Sequence, residues 1–557
     1  MTAPGSSHDL ERTPDQTRTA AADSIAVGVW TLISRISGVL KVAAIGAVLG
    51  PTLFGNTYQF TNSLPNLVYY GFLAGSLFSS LLVPALVSHL DTGDRRACAD
   101  VAGGFLGVTL VALAVVAIPA ALLGPLVLRL GSIGVGTADA AQARVGGWLI
   151  IMFIPQIFCY AVVGTATAAM NACCRFALAA AAPALENIGI VVVLALTTVL
   201  FGTGTRLDRV PTLELLLLGI GTTTAVAIHA GAQWWGARRA GIVLIPRSGW
   251  RDPQVRVVIR RALPSIAQAG LVALQVLSLL TLANRVPGGV VAFQIALNFY
   301  FLAVALGATP VALSLLPRLS RLHLQGDAAR FQSTLVRGYA LALFVTVPAA
   351  AGYLVLAGPV ARAISFGRMN TAGGIALVAG ALAALSLAVL GQTVFMIAMY
   401  ACYARMDTRT PLRSMIVQTI CCLSLAVIAL SMRGTLVLVV LGLAFSSSTT
   451  AAAWHLSRRL RRQLGTGSER MTASLIKVCA GAFAMAGPAW LTASLVRRWV
   501  AGPLGAGLTI SASAMVGAAV FVAMQVLLRT PELAAITESL PKPRSRNRTP
   551  VGAIGHV

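Results

Sequence analysis

Few side chains in this sequence can do chemistry, and they sit where charge is expensive. Arg35 and Lys41 interrupt an apolar run that begins near Ser24, and Glu186 interrupts one that begins near Ala177. Ionisable groups deep in hydrocarbon usually face a hydrated cavity, a ligand or one another. Arg35 lies about eleven residues into its run, too deep for easy snorkelling from the nearer surface, so a hydrated cavity is expected around it. Lys41 is nearer the far end and can either snorkel or face that cavity. The two cations are six positions apart, about 240° around an ideal helix. They converge on one ligand only where the helix bends, and Gly38 between them permits a bend. Glu186 follows Pro183, which can open a helix locally. It is either a structural partner of Arg35 or Lys41 or a proton or sodium site, and pairing is favoured because buried charges usually have partners. Glu214 and Lys477 lie close to the ends of their runs, within reach of interfacial water.

Other chemistries are missing. The sequence has no GxxxxGK[ST] loop, no HExxH and no Ser/His/Asp constellation. His8, His89, His323 and His556 fall in tails or loops, and His229 and His455 lie in or beside apolar runs. None of the eight cysteines forms a CxxC pair or a zinc-spaced Cys/His cluster, and most fall in apolar runs, as small hydrophobes packing between helices do. The expectation is a transporter, not an enzyme. It would have no cofactor and no metal, and would draw its energy from the membrane potential, a Na+ or H+ gradient, or a downhill substrate.

The elements that must position these residues are membrane helices. Of 557 residues, 57% are hydrophobic and 11% charged, against about 25% charged in soluble chains. Mean hydropathy is +0.82. Apolar runs long enough to cross a bilayer are expected at 24–49, 63–88, 101–127, 145–170, 177–200, 213–235, 257–282, 290–316, 335–356, 373–401, 412–431, 435–456, 473–495 and 504–528. The fold class is therefore an all-α membrane protein of about fourteen transmembrane helices. The net charge of +25 does not indicate nucleic acid, because Lys and Arg sit in short clusters between apolar runs. With the N-terminus inside, inner tails and loops hold about 29 of them and outer loops about 10, as the positive-inside rule requires. Both termini are then cytoplasmic. The first outer loop, 51–62, carries no charge.

An internal repeat organises the helices. LVPALVSHLDTGDRR from Leu82 matches LLPRLSRLHLQGDAAR from Leu315, with Pro84, Gly93 and Asp94 paired to Pro317, Gly326 and Asp327 at an offset of 233. The stretch 171–176 falls near 405–410 at almost the same offset. Two parallel six-helix lobes follow, with a substrate site expected between them. The expected divisions are a disordered cytoplasmic tail at 1–23, an N-terminal lobe at 24–236, a basic cytoplasmic linker at 237–256 and a C-terminal lobe at 257–456. A basic loop and C-terminal helix pair occupy 457–528, and a basic tail 529–557.

The N-terminal motifs add a resemblance. SRISGVLKVAAIGAVLG from Ser34, SLPNLVYYGFLAGSLFSSLLVPAL from Ser63, RDPQVRVVIRRALP from Arg251 and LPRLS from Leu316 together resemble the MurJ/MviN family of lipid II flippases, in the MOP exporter superfamily. The resemblance spans about 24–470 in register, and the helix count fits to the end. It implies a V-shaped pair of lobes around a cationic cavity for a pyrophosphate–sugar head group, and a last helix pair forming a groove for the polyprenyl tail. Arg35 keeps the family's first arginine. Lys41 replaces the second, Val42 an aspartate, Asn56 an aspartate, Tyr69 and Tyr70 an arginine pair, Ala74 a glutamate, and Asn298 an arginine. The family's sodium-site acids have no evident counterpart. The implied substrate contacts are Arg35 and Lys41 on pyrophosphate, with Asn56, Tyr69 and Asn298 on sugars. The implied partners are a lipid-linked oligosaccharide, membrane lipids and cell-wall synthesis proteins, in the bacterial plasma membrane. The alternatives are a cation-coupled MATE-like exporter leaning on Glu186, and a transport-inactive paralogue serving as a cell-wall scaffold.

Overall fold

The computed structural model describes residues 14–69, 82–132, 139–251, 253–464, 469–499 and 502–534. Among the described residues the regular structure is helical. The N-terminal lobe comprises α1 (Pro14–Leu49), α2 (Leu53–Tyr69), α3 (Val83–Asp91), α4 (Arg95–Ser132), α5 (Asp139–Ala172), α6 (Phe176–Ala181), α7 (Pro183–Phe201) and α8 (Thr212–Arg239). The C-terminal lobe comprises α9 (Pro253–Ala283), α10 (Gly289–Leu324), α11 (Ala328–Ile364), α12 (Ala372–Ser386), α13 (Ala388–Ala404), α14 (Arg409–Ala426) and α15 (Thr435–Leu464). The pair α16 (Glu469–Trp499) and α17 (Gly502–Leu527) follows. Thirteen stretches among the described residues are long and apolar enough to cross a membrane. They correspond to thirteen of the fourteen runs. The remaining run, 63–88, includes 70–81, which lie outside the described residues.

Several boundaries differ from the sequence reading. Helix α1 begins at Pro14, so the expected tail is helical over its last ten residues; residues 1–13 lie outside the described set. The uncharged loop 51–62 is almost entirely helix. Thr52 accepts from the Gly55 amide at 3.0 Å, which starts α2 at Leu53. The 177–200 run breaks between α6 and α7 ahead of Pro183, and the 373–401 run breaks at Leu387. Glu214 is 1% exposed and accepts from the Thr205 hydroxyl at 3.0 Å, so it does not reach interfacial water. The basic linker is packed: the Arg247 amide donates to Gly103 O at 3.0 Å, and its guanidinium pairs with Asp100. Residues 530–534 also pack, through Ser474 Oγ donating to Glu532 Oε1 at 2.5 Å. The rest of the basic tail, 535–557, lies outside the described residues.

The repeat is visible as two turns built twice. The Asp94 amide bonds His89 O and the Asp94 carboxylate caps the Ala97 amide at 2.9 Å; the Asp327 amide bonds Leu322 O and its carboxylate caps the Arg330 amide at 2.9 Å. Gly93 and Gly326 hold the left-handed position in these turns, with φ of 76° and 70°. At the second turn Cys174 and Met406 take φ of 55° and 59°.

The two ends of the lobes differ. At one end the loops 50–52, 202–211, 284–288 and 365–371 meet. The Gly204 amide bonds Val48 O at 3.1 Å, and the Gly288 amide bonds Thr52 O at 3.3 Å. One continuous apolar core crosses from the N-terminal lobe (Val42, Phe54, Phe153) to the C-terminal lobe (Val291, Phe293, Phe445) there. At the other, arginine-rich end each lobe has a separate core, one around Phe105 and Tyr160 and one around Phe331 and Phe395. Arg238, Arg239 and Arg458 lie over Trp234, Trp235 and Trp454 at that end, where interfacial aromatics belong. The α16–α17 pair packs on α11 through Phe344, Val478, Met485 and Phe521.

Candidate substrate seam and buried charge cluster

Helix α1 runs between the lobes, against α6 and α7 on one side and α10 on the other. Gly38 marks the seam: a Cβ there would lie 3.6 Å from Asn187 Nδ2 on α7 and 3.8 Å from Asn298 Oδ1 on α10. Asn187 donates to Ser37 Oγ at 2.9 Å and to Ser34 O at 3.4 Å. Asn298 donates to Gln294 O at 2.8 Å. Arg35 and Lys41 lie three residues before and after Gly38, each about 60° from its direction. They therefore flank the seam without converging. Arg35 is exposed and, among the described residues, has no ion-pair or hydrogen-bond partner. A guanidinium so placed can take a phosphate in a bidentate pair.

Lys41 is committed elsewhere. Its Nζ lies 3.5 Å from Glu186 Oε1, with the side chains 15% and 8% exposed. Tyr160 Oη donates to the same Oε1 at 3.1 Å, and His229 Nδ1 lies 3.0 Å from Oε2. Gln233 Nε2 is 3.5 Å from His229 Nε2 and donates to Ala179 O at 3.2 Å. Four helices, α1, α5, α7 and α8, thus supply one polar cluster inside the N-terminal lobe. A buried carboxylate tolerates this position because both oxygens are hydrogen-bonded and one cation faces it. Of the two pairings open to Glu186, the structure has Lys41, not Arg35. The sequence reading missed Tyr160, Gln233 and His229. The available signal was an imidazole in the middle of the apolar run that forms α8.

Asn56 is corrected. It is 0% exposed, and all its polar atoms are used across the lobe boundary. Nδ2 donates to Val286 O at 2.8 Å and Asn284 O at 3.3 Å, and Oδ1 accepts from the Val290 amide at 3.0 Å. Gln142 Nε2 adds bonds to Thr57 Oγ1 and Asn284 Oδ1, both at 3.1 Å. Asn56 is therefore a latch between lobes in this conformation, with no polar atom left for a sugar. The Tyr69 side chain, Tyr70 and Ala74 lie outside the described residues. No group of three His, Cys, Asp or Glu suited to a metal occurs among the described residues.

Two lobes joined at one end, with a polar seam between them, make a two-lobed helical membrane fold. A solved inward-facing MATE multidrug resistance transporter of the MOP superfamily shares that fold with a TM-score of 0.59 and 14% identity, covering 79% of this chain and 96% of its own. A solved lipid II flippase MurJ, in an inward closed conformation, matches with a TM-score of 0.70 and 16% identity, covering 91% and 99%. The family model for MurJ, lipid II flippase, matches residues 45–508, so the chain belongs to the MurJ family. Relatives include the probable lipid II flippase MurJ of Haemophilus influenzae, 24% identical over 484 residues (84% of this chain, 92% of the relative). The lipid II flippase MurJ of Burkholderia cenocepacia is 23% identical over 400 residues (70% and 74%). The family expected from the motifs is thereby shown over residues 45–508, a span that holds the stretches from Ser63, Arg251 and Leu316 and begins after Arg35 and Lys41, and the chain is a multi-pass membrane transporter.

Proposed function

We propose that this protein flips a polyprenyl-pyrophosphate-linked cell-wall precursor, lipid II, from the inner to the outer leaflet of the bacterial plasma membrane by alternating access. The observation that carries the reading is the asymmetry of the lobes: one core and the Asn56 latch join them at one end, and separate cores serve them at the arginine-rich end. The positive-inside rule assigns the arginine-rich end to the cytoplasm, with both termini there, so the latch closes the outer side. Arg35 takes the pyrophosphate first, because no carboxylate among the described residues competes for it. Lys41 joins it by leaving Glu186, and Asn298 offers its amide to a head-group sugar. Exposed apolar side chains on α16 and α17, such as Phe483, Trp490 and Leu508, receive the polyprenyl chain. The reaction needs no bound cofactor and draws on the membrane potential or an ion gradient. Acidic membrane lipids and cell-wall synthesis proteins are the partners this role calls for.

Complementation tests the reading. Cells depleted of their own lipid II flippase are expected to survive when this protein is expressed. The Arg35→Ala variant should reach the membrane at normal levels yet fail to rescue, with at least a tenfold loss in a lipid-flipping assay, as loss of a charge-assisted phosphate contact implies. Rescue by Arg35→Ala would remove Arg35 from the site, and failure of the native protein would exclude lipid II as cargo.

A further inference from the structure

The Lys41 cluster holds more machinery than an ion pair requires. Lys41 and Glu186 neutralise each other, yet His229 is brought to the second carboxylate oxygen at 3.0 Å with its side chain 4% exposed. Beyond it stands Gln233, 1% exposed, whose Nε2 faces His229 Nε2 at 3.5 Å. That arrangement suits a neutral imidazole, with its proton on Nδ1 toward Glu186 and Nε2 accepting from the amide. Among the described residues, Gln233 Oε1 is buried and has no hydrogen-bond partner. A carboxamide turned about its last torsion would present that oxygen to Nε2. Gln233 is thus matched to both protonation states of His229: amide nitrogen toward the neutral ring, unused oxygen toward the imidazolium. Among the described residues, the charged and titratable groups facing Glu186 are Lys41 from α1, Tyr160 from α5 and His229 from α8.

We propose that Lys41, Glu186 and His229 form a proton-binding site that exchanges a proton for the lysine during transport. The inference rests on the proposed role of Lys41 in holding pyrophosphate. When Lys41 swings to the ligand, Glu186 is left as a buried carboxylate with no cation, a costly state. One proton from the cytoplasmic solvent then binds His229 Nε2, and the imidazolium replaces the ammonium as partner of Glu186. When the head group leaves on the outer side, Lys41 returns and the Nε2 proton departs. No other bond is made or broken. A lysine suits this exchange better than an arginine, being a point charge on a flexible stem with no fork geometry to satisfy. Histidine is the side chain whose ordinary titration range allows it to fill and empty at cellular pH. The substrate cycle therefore carries one proton outward with each precursor, which offsets part of the anionic head group's charge and supplies no energy itself.

The test is calorimetry of undecaprenyl pyrophosphate binding to the purified full-length protein, in two buffers of different ionisation enthalpy. At about pH 8, above the ordinary imidazole range, the native protein should take up close to one proton per ligand. Its affinity should then fall about tenfold for each unit of rising pH, the linkage expected for one bound proton. Glu186→Gln should bind the ligand with no proton uptake. His229→Gln, which keeps a hydrogen bond to Glu186, should show the same loss of uptake and a flattened pH dependence. Binding by the native protein without uptake overturns the proton site and leaves the flippase reading standing. Uptake that persists in both variants, each eluting as a folded species on size exclusion, also overturns it. Absence of any binding by the native protein overturns the pyrophosphate reading and the proton site with it.

Discussion

Asn56 shows what a single residue can hide. Its neighbours in sequence are uncharged, and a short polar side chain there is easily assigned to a passing sugar. Its partners are the carbonyls of Asn284 and Val286 and the amide of Val290, more than 220 positions away, and no local pattern announces them. Arg35, Lys41 and Glu186 were legible for the opposite reason: charge inside an apolar run stands out without knowledge of its surroundings. Which cation Glu186 takes was not legible, since it depends on how α1 lies against α7. Removing the Asn56 amide would leave the Val290 N–H without its acceptor in a buried place and strip one bond from the Val286 carbonyl, which keeps the Gly289 amide at 2.8 Å; the unsatisfied N–H costs about 1–3 kcal/mol. Asn56→Ala should therefore favour opening of the latched end. Maleimide labelling of a cysteine at Val291, 0% exposed in the closed form, should accelerate at least fivefold in the Asn56→Ala background, in a protein freed of its exposed Cys174 and Cys479. An unchanged labelling rate would mean that Asn56 fills space without holding the end shut.

Helices were the most legible elements, because long apolar runs bounded by charge leave little choice of structure. Their interruptions were legible only where a residue forces them. Pro183 signals the α6–α7 break, whereas the break at Leu387 has no proline and follows from packing. The stretch after α8 illustrates the limit further. Its arginines suggest a solvated linker, yet residues 242–247 lie along α4 and the Arg247 amide bonds Gly103 O. Two glycines on α4 make this approach possible. A Cβ on Gly103 would meet Ile245 O, and one on Gly107 would meet Arg247 O. These clashes are with backbone, which cannot rotate aside. Gly107→Ala is accordingly expected to destabilise the folded protein by about 1–3 kcal/mol through the α4–linker contact, read as a lower melting temperature in detergent. Gly231→Ala, where a Cβ meets nothing within 4 Å, is the control and should melt no lower than the native protein.

At the scale of the whole molecule, the two-lobe plan is written in the repeat, but the state of the lobes is written only in their contacts. Asp94 and Asp327 cap equivalent helices through equivalent bonds, and both turns lie at the arginine-rich end. No sequence feature says that this end carries separate cores while the opposite one is sealed. Sealing there is a matter of small residues: Gly46 faces Val291 and Met369, Gly288 lies on Pro51, and Gly367 lies on Ala47. If transport requires this end to part, a covalent bridge across it must stop the cycle. A Cβ built on Gly46 lies 3.3 Å from Val291 Cγ1, close to the separation of a Cβ from the far sulfur in a disulfide. The Gly46→Cys/Val291→Cys pair should therefore cross-link α1 to α10 under mild oxidation. Flipping in liposomes is expected to fall at least tenfold on oxidation and to return with dithiothreitol, while each single variant stays insensitive to both reagents. Full activity of the cross-linked protein would show that the precursor crosses without separation of the latched ends, and alternating access about this junction would have to be abandoned.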